Sequence, residues 1–561
     1  MLNGWIQVES ANGRWTVLAD WRARLFGQNG LRWHEWNATK NIEIIKSADH
    51  RTVYRVCLPD QSVFIKHYPT DHWRSRIRQW LRPTKAFTEW QRAVALTRLG
   101  INTVLPLAFG ELDDHQSYLI TQEWTNAQTL DQWLLGSPKR DEHAFRRSVA
   151  VNLAYFLARL HDAGIEHGDL HPGNFLCRAQ QDGSPEIAII DLYAVRIGKP
   201  LGRLASIANL AMLGHWFLQY TSLSERHSFW HAYVQARRQT IIPVDDRTIL
   251  SKLEQQCWNG AVQIWQRRTF RCIKTNKDFF QLNKHGNKVW AIRSVPDSLL
   301  LPLLQDPNLP FNSPSSQMIK DSRSASVAIW QHTSNTLPSP LFCKRFMPTR
   351  WYDPLQHLIR PSPAMRSWIN AFRLLNMGIP TPKPIALIHR RRWQLTRESY
   401  LLTAWLHDSE TLYSYAQRLG PNPPIHEPLR HNSVFRQLAR SIGKLHRLGL
   451  AHRDMKAANF LVQQNADTNN KPKLFFIDLV GMTRPRHLRQ ATMMQNLARL
   501  WVSFQSCPWL KRTDRLRFLL IYLETYQNRK KRSPWKTWWK GIAALSQQKI
   551  LQNKCRQRPL S

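Results

Sequence analysis

Read for apolar and polar positions, the chain carries one succession of elements twice. Alternating, β-branched stretches such as TVYRVCLPDQSVFIKHY (residues 52–68) predict paired strands. FTEWQRAVALTRL (87–99) has the period of an amphipathic helix, and SVAVNLAYFLARLHDAG (148–164) predicts a second helix that closes on Gly164. A loop, HGDLHPGNF (167–175), follows, then a short apolar strand ending in an acid, AIIDLY (188–193).

The second half repeats this order. Lys66 in VFIKHY matches Lys344 in LFCKRF, and Gly100 in LGINTVLPLA matches Gly378 in MGIPTPKPIA, both at a shift of 278. HGDLHPGNF matches HRDMKAANF (452–460), with Asp169 on Asp454 at a shift of 285. Asp191 falls on Asp478 in FFIDLV, and Asn209 in NLAML on Asn496 in NLARL, at a shift of 287. A near-constant offset at separated points marks internal duplication. The chain reads as two domains, 1–282 and 283–561, joined within the basic, polar stretch of residues 270–300.

The spacing serves phosphoryl transfer, which needs a cation for phosphates, oxygen donors for magnesium and a carboxylate facing the acceptor hydroxyl. Lys66 takes the first role, with Glu89 on the first helix as its ion-pair partner. Asn174 and Asp191 are the magnesium ligands and Asp169 the base. The step of five from Asp169 to Asn174 lets one turn present both to one cleft, and Asp454 and Asn459 repeat it, with Asp478 and Lys344 completing the second set. His167 and His452 brace the loops, since neither has neighbours at zinc spacing.

The set of lysine, glutamate, HxDxxxxN and IDL resembles the protein-kinase-like superfamily and, within it, the bacterial lipopolysaccharide core kinases. The closer likeness lies in RTVYRVCLPDQSVFIKHY, TEWQRAVALTRLGINT and IIDLYAVR of the first half, and in MGIPTPKPIA, HRDMKAANFLV and FFIDLVGM of the second. It covers residues 40–235 and 315–525. The resemblance implies an α+β fold of two tandem kinase-like domains, each with a β-rich N-lobe and a helical C-lobe. It also implies ATP and Mg2+ as cofactors and heptose or 3-deoxy-D-manno-octulosonate of the inner core as acceptor. Lys456, two residues after Asp454, looks like the lysine that touches the transferring phosphate in protein kinases; His171 stands there in the first half.

Two departures stand out. IKSADHRTVYRV and IKDSRSASVAIW contain no glycine, so phosphates must be approached without a glycine-rich loop, with help from Ser or Arg. The second half has Ser367 where Glu89 is expected, and Asp353 is the only acid between Lys344 and Glu398. That half reads as a kinase with altered nucleotide posture, in preference to a pseudokinase.

Lys and Arg number 79 against 39 Asp and Glu in 561 residues, a net charge of +40 that seeks polyanions. Such a charge disfavours the acidic clefts of aminoglycoside- or choline-type kinases, the competing reading, and the intact ligand set of the first half disfavours a scaffold or a nucleic-acid binder. The 25 Trp tilt the choice toward peripheral contact with an anionic membrane. Seven Cys without regular spacing predict neither a disulfide framework nor a zinc site. With no secretory leader and no long uncharged apolar run, the expected location is cytoplasmic, at the inner membrane. At the C-terminus, Ser533 would cap a helix with Trp535, Trp538, Trp539 and Ile542 on one face. A matching CWNGAVQIW around Trp258 and Gly260 favours core packing over lipid contact for that face.

Overall fold

The computed structural model describes residues 4–10, 13–28, 30–48, 51–69, 83–138, 142–181, 183–237, 246–332, 337–393, 395–420, 433–464, 472–527 and 534–555. Contacts divide the chain into two compact units, Met1–Ala261 and Val262–Ser561. Each has a seven-stranded antiparallel sheet followed by helices, the tandem kinase-like arrangement.

In the first unit the strands are β1 (Trp5–Ser10), β2 (Gly13–Leu18), β3 (Ile42–Ala48), β4 (Arg51–Cys57), β5 (Ser62–Tyr68), β6 (Pro106–Leu112) and β7 (Ser117–Gln122). Their order in the sheet is β1-β2-β6-β7-β5-β4-β3. Side chains alternate along β5: Val63 and Ile65 enter a core with Trp15, Leu25 and Trp36, which leaves Lys66 and Tyr68 on the other face. Over that face lies helix α1 (Lys85–Arg98), started by Thr84, whose hydroxyl accepts from the Phe87 N–H at 3.2 Å.

The helical part follows with α2 (His143–Asp162), α3 (Arg203–Tyr220), α4 (Leu223–Ala236) and α5 (Asp246–Thr269), the last of which runs on past Ala261 into the second unit. Gly164 ends the turn after α2 at φ +73°, and a Cβ there would run into the Gly198 carbonyl, so glycine is required on both counts.

The second unit repeats the plan. Its strands are β8 (Phe279–Lys284), β9 (Asn287–Ile292), β10 (Ser316–Ser322), β11 (Ala325–Trp330), β12 (Leu341–Phe346), β13 (Pro384–Arg392) and β14 (Leu395–Ala404). They stand in the order β8-β9-β13-β14-β12-β11-β10, the same permutation as in the first sheet. A short helix, α6 (Asp353–Ile359), precedes α7 (Pro363–Asn376), the counterpart of α1. Among the helices that follow are α8 (Ser433–Arg447), α9 (Gln490–Val502), α10 (Arg512–Gln527) and α11 (Trp535–Cys555).

Helix α11 is the tryptophan-rich C-terminal segment. Trp538 and Ile542 are buried, Trp538 lies 5.6 Å from the Tyr522 ring and Trp539 lies 5.0 Å from Trp501. That face packs inside the lobe; its expected cap, Ser533, lies outside the described residues.

Candidate active site

Lys66 reaches across from β5 to Glu89 on α1, an ion pair whose side chains are 14% and 3% exposed. The other Glu89 oxygen accepts from the Tyr68 hydroxyl at 2.6 Å, so one buried carboxylate is satisfied from two residues of one strand face. Burial, with Glu89 beside it, pushes the Tyr68 hydroxyl far above its ordinary value and keeps it a donor. Arg51, at the start of β4, donates to Asp191 at 2.9 Å.

Asp191 ends the apolar strand Pro185–Ile189 after one intervening residue and takes a left-handed conformation, φ 61°, ψ 55°. Burial alone would raise its carboxyl, but Lys66 and Arg51 outweigh that and hold it below the usual carboxylate range. Thr103 ties the strand in place by donating to the Ile189 carbonyl at 2.7 Å.

In the loop before it, the Asn174 amide donates to the Asp169 carbonyl at 2.8 Å, and the Asp169 N–H donates to His167 Nδ1 at 3.1 Å. Asp169 itself is 77% exposed, with His171 Nε2 3.9 Å away, which leaves its carboxylate open to an incoming hydroxyl. The second unit copies these bonds. Asn459 donates to the Asp454 carbonyl at 2.6 Å, and the Asp454 N–H to His452 Nδ1 at 3.2 Å. Lys456 stands 3.9 Å from Asp454, and Asp478 is also left-handed at φ 53°.

The two units differ at the lysine. Helix α7 starts on Ser362, whose hydroxyl accepts from Met365 N–H at 3.1 Å, and Ser367 stands five residues past that cap, as Glu89 stands five past Thr84. Ser367 is buried and offers Lys344 no charge; Lys344 turns to Asp478 instead, at 2.9 Å. Strand register places Ala325 opposite Phe346, in the positions that Arg51 and Tyr68 hold in the first unit. Glutamate, tyrosine and arginine are thus all replaced, by Ser367, Phe346 and Ala325.

Sequence reasoning missed Arg51 and Tyr68 as partners, and missed a brace beneath the loop. Asn209 on α3 donates to the His167 carbonyl at 2.8 Å, and its side-chain oxygen meets His161 Nε2 at 3.1 Å. The Tyr233 hydroxyl lies 2.7 Å from His161 Nδ1. Since the Asn209 oxygen can only accept, Nε2 carries the proton and Nδ1 receives the tyrosine's: a neutral imidazole with both nitrogens satisfied. Burial lowers His161 to about 4. His446, Asn496 and Tyr522 repeat the brace at 3.3 and 2.8 Å, and burial likewise lowers His446 to about 4. The repeated Asn209/Asn496 pair was visible in the sequence; its purpose was not.

The profile of the Lipopolysaccharide kinase (Kdo/WaaP) family matches residues 35–233 and 341–522, more than half of the chain and one segment in each unit. The chain belongs to this family. Among curated relatives, a lipopolysaccharide core heptose(I) kinase WaaP from Pseudomonas aeruginosa is 27% identical over 163 residues, which is 28% of this chain and 59% of that protein. A 3-deoxy-D-manno-octulosonic acid kinase from Haemophilus influenzae is 31% identical over 134 residues, 24% of this chain and 50% of that protein. The chain spans about half to three fifths of the length of these Kdo/WaaP relatives. A solved structure of WaaP in complex with acyl carrier protein, 18% identical, aligns over 40% of this chain and 92% of that one with a TM-score of 0.31.

Proposed function

We propose that the first unit transfers the terminal phosphoryl group of ATP to a sugar hydroxyl of the lipopolysaccharide inner core, heptose or 3-deoxy-D-manno-octulosonate, at the cytoplasmic face of the inner membrane. The observation that carries this is the buried Lys66–Glu89 pair in the same cleft as Asp191 and the Asp169–Asn174 loop, in a chain of this family.

Lys66, anchored by Glu89, has its ammonium beside the nucleotide phosphates. Asp169 accepts the proton of the acceptor hydroxyl as that oxygen attacks, and its exposure leaves room for a bulky sugar. Asn174 and Asp191 offer the oxygen donors that a hard cation takes. No group of three or more His, Cys, Asp or Glu able to hold a metal occurs among the described residues, so magnesium held there would draw the rest of its shell from phosphate and water. When bound, it supplies charge neutralisation for the triphosphate. Arg51 pairs with Asp191 at 2.9 Å, so a cation bound at that carboxylate would share it with, or displace, the guanidinium.

The second unit keeps the base, Asp454, with Lys456, Asn459 and Asp478, and we read it as a second phosphotransfer centre with its lysine differently held. Among the described residues no helix is long and apolar enough to cross a membrane. A lipid-linked acceptor and the net charge of +40 both support peripheral contact. Purified lipid-linked core incubated with terminally labelled ATP should take up label, and soluble amines should not. The reverse result would transfer the assignment to a small-molecule kinase.

A further inference from the structure

Helix α6 has no buried residue, yet it is apolar along one side. Trp351, just before it, is 84% exposed, and Leu355, Leu358 and Ile359 are 47%, 66% and 94% exposed. The spacing i, i+4, i+7, i+8 sets these four on one helical face, an apolar stripe turned to solvent. The turn that starts the helix is fixed: Asp353 accepts from the Thr349 and Arg350 N–H groups at 2.8 and 2.9 Å. The other side of the helix packs on β14.

Such a face needs a reason, and the duplication supplies one. In the first unit, TDHWRSRIRQWLR (residues 70–82) carries Trp73, Ile77, Trp80 and Leu81. All four match the stripe of α6 at the shift of 278 that relates Lys66 to Lys344, and Arg82 matches Arg360 at the same shift. Residues 70–82 lie outside the described residues, so this match is one of sequence. The four large apolar positions recur in both copies while their polar neighbours changed.

The flanks say what covers it. Arg350 and Arg360 bracket α6, and the hairpin on which the helix packs ends in Arg391, Arg392 and Trp393, the last 80% exposed. Asp353 is the acid of this stretch, and its carboxylate is engaged by the backbone. A second copy of a chain at +40 would bring like charge to this surface, whereas an anionic lipid headgroup layer complements it. Large apolar side chains rimmed by arginine, with tryptophan at the edge, are the chemistry of a helix lying at the boundary of lipid and water.

We propose that α6 is a seat for an anionic bilayer surface, inserting Trp351, Leu355, Leu358 and Ile359 among the acyl chains while the arginines meet the headgroup phosphates. This deepens the reading of a membrane-borne acceptor by naming the surface that docks. Vesicle binding needs no acceptor and no ATP, so the proposal stands or falls apart from the phosphotransfer assignment.

The full chain should co-sediment with vesicles of phosphatidylcholine plus phosphatidylglycerol, and far less with phosphatidylcholine alone. Changing Trp351→Ser, Leu355→Ser, Leu358→Ser and Ile359→Ser together should weaken that binding at least about tenfold. Because these side chains are exposed, the melting temperature should not fall, and phosphotransfer to a water-soluble core fragment should stay at the parent level. Unchanged sedimentation of the α6 variant, or no binding of the parent chain to anionic vesicles, overturns the proposal. So does a variant that keeps vesicle binding but turns a dimer into a monomer in sedimentation velocity, which would make a second copy the occupant.

Discussion

The two units share a sheet permutation, a loop and a brace, and differ at the contact between strand lysine and helix. In the first, Glu89 holds Lys66, Tyr68 holds Glu89, and Arg51 holds Asp191. In the second, Ser367, Phe346 and Ala325 leave Lys344 to hold Asp478 directly. The helix does not leave its place for want of the acid. Arg92 on α1 donates to the Leu192 carbonyl at 3.1 Å, and Asn370, its counterpart on α7, donates to the Leu479 carbonyl at 3.0 Å. The difference therefore teaches that Glu89 positions a lysine, while other bonds position the helix. Removing Glu89 takes the partner from both Lys66 and Tyr68, which is a physical reason for the glutamate and the tyrosine to have changed together.

The largest effect expected from breaking this comparison is at the bases. Asp169→Asn should lower label transfer by roughly a thousandfold with ATP binding kept, and full turnover would remove Asp169 from its role. Asp454→Asn sharpens it: phosphate incorporation should drop by the share of the second centre, and no drop at all would leave that unit a scaffold.

Next comes Glu89→Gln, which strands a buried lysine. It should destabilise the first unit by about 3 kcal/mol and lower turnover, as followed by chemical denaturation and by label transfer. If neither moves, the second unit loses nothing by having Ser367.

Acid should act alike on both units. His161 and His446 are held near 4 by burial, against about 6.5 in an unfolded chain. Below 6.5 the unfolded state takes up protons that the folded state refuses, so stability is full above that pH and falls toward pH 4. The slope is up to about 1.4 kcal/mol per pH unit for each histidine. Denaturant midpoints at pH 7 and 5.5 measure it; a flat profile would mean that the folded chain takes up these protons as readily as the unfolded one, so that burial does not hold the brace neutral.

The smallest effect belongs to Tyr68→Phe, which copies Phe346 into the first unit. Losing a hydroxyl bond to a buried carboxylate should destabilise by about 2 kcal/mol, and more so when Glu89 is present than in a Glu89→Gln background. Additive losses would mean that the two side chains do not act together.

Much of this was legible in the sequence. The duplication rests on spacings that the chain prints twice, and the loop, the strand-end acid and the helix stop at Gly164 follow from local chemistry. Lys66 and Tyr68 share a face by strand period alone, so that partner was within reach of a sequence argument. Arg51 was not: its meeting with Asp191 spans 140 residues and depends on where the β3–β4 hairpin lies over the cleft. The His161–Asn209–Tyr233 brace joins three helices through side chains, and no local pattern announces a bond between helices. The stripe on α6 escaped because apolar residues at helical period are read as core until exposure shows otherwise.

Asp191 and Asp478 both sit at positive φ, 61° and 53°, without being glycine. Asparagine tolerates that region, while alanine carries the penalty of a Cβ crowded against its own backbone. An alanine at either site therefore confuses loss of a ligand with distortion of the chain that presents it, and only the amide isolates the negative charge. The same geometry narrows what drift can install there, so these two acids are guarded by conformation as well as by chemistry.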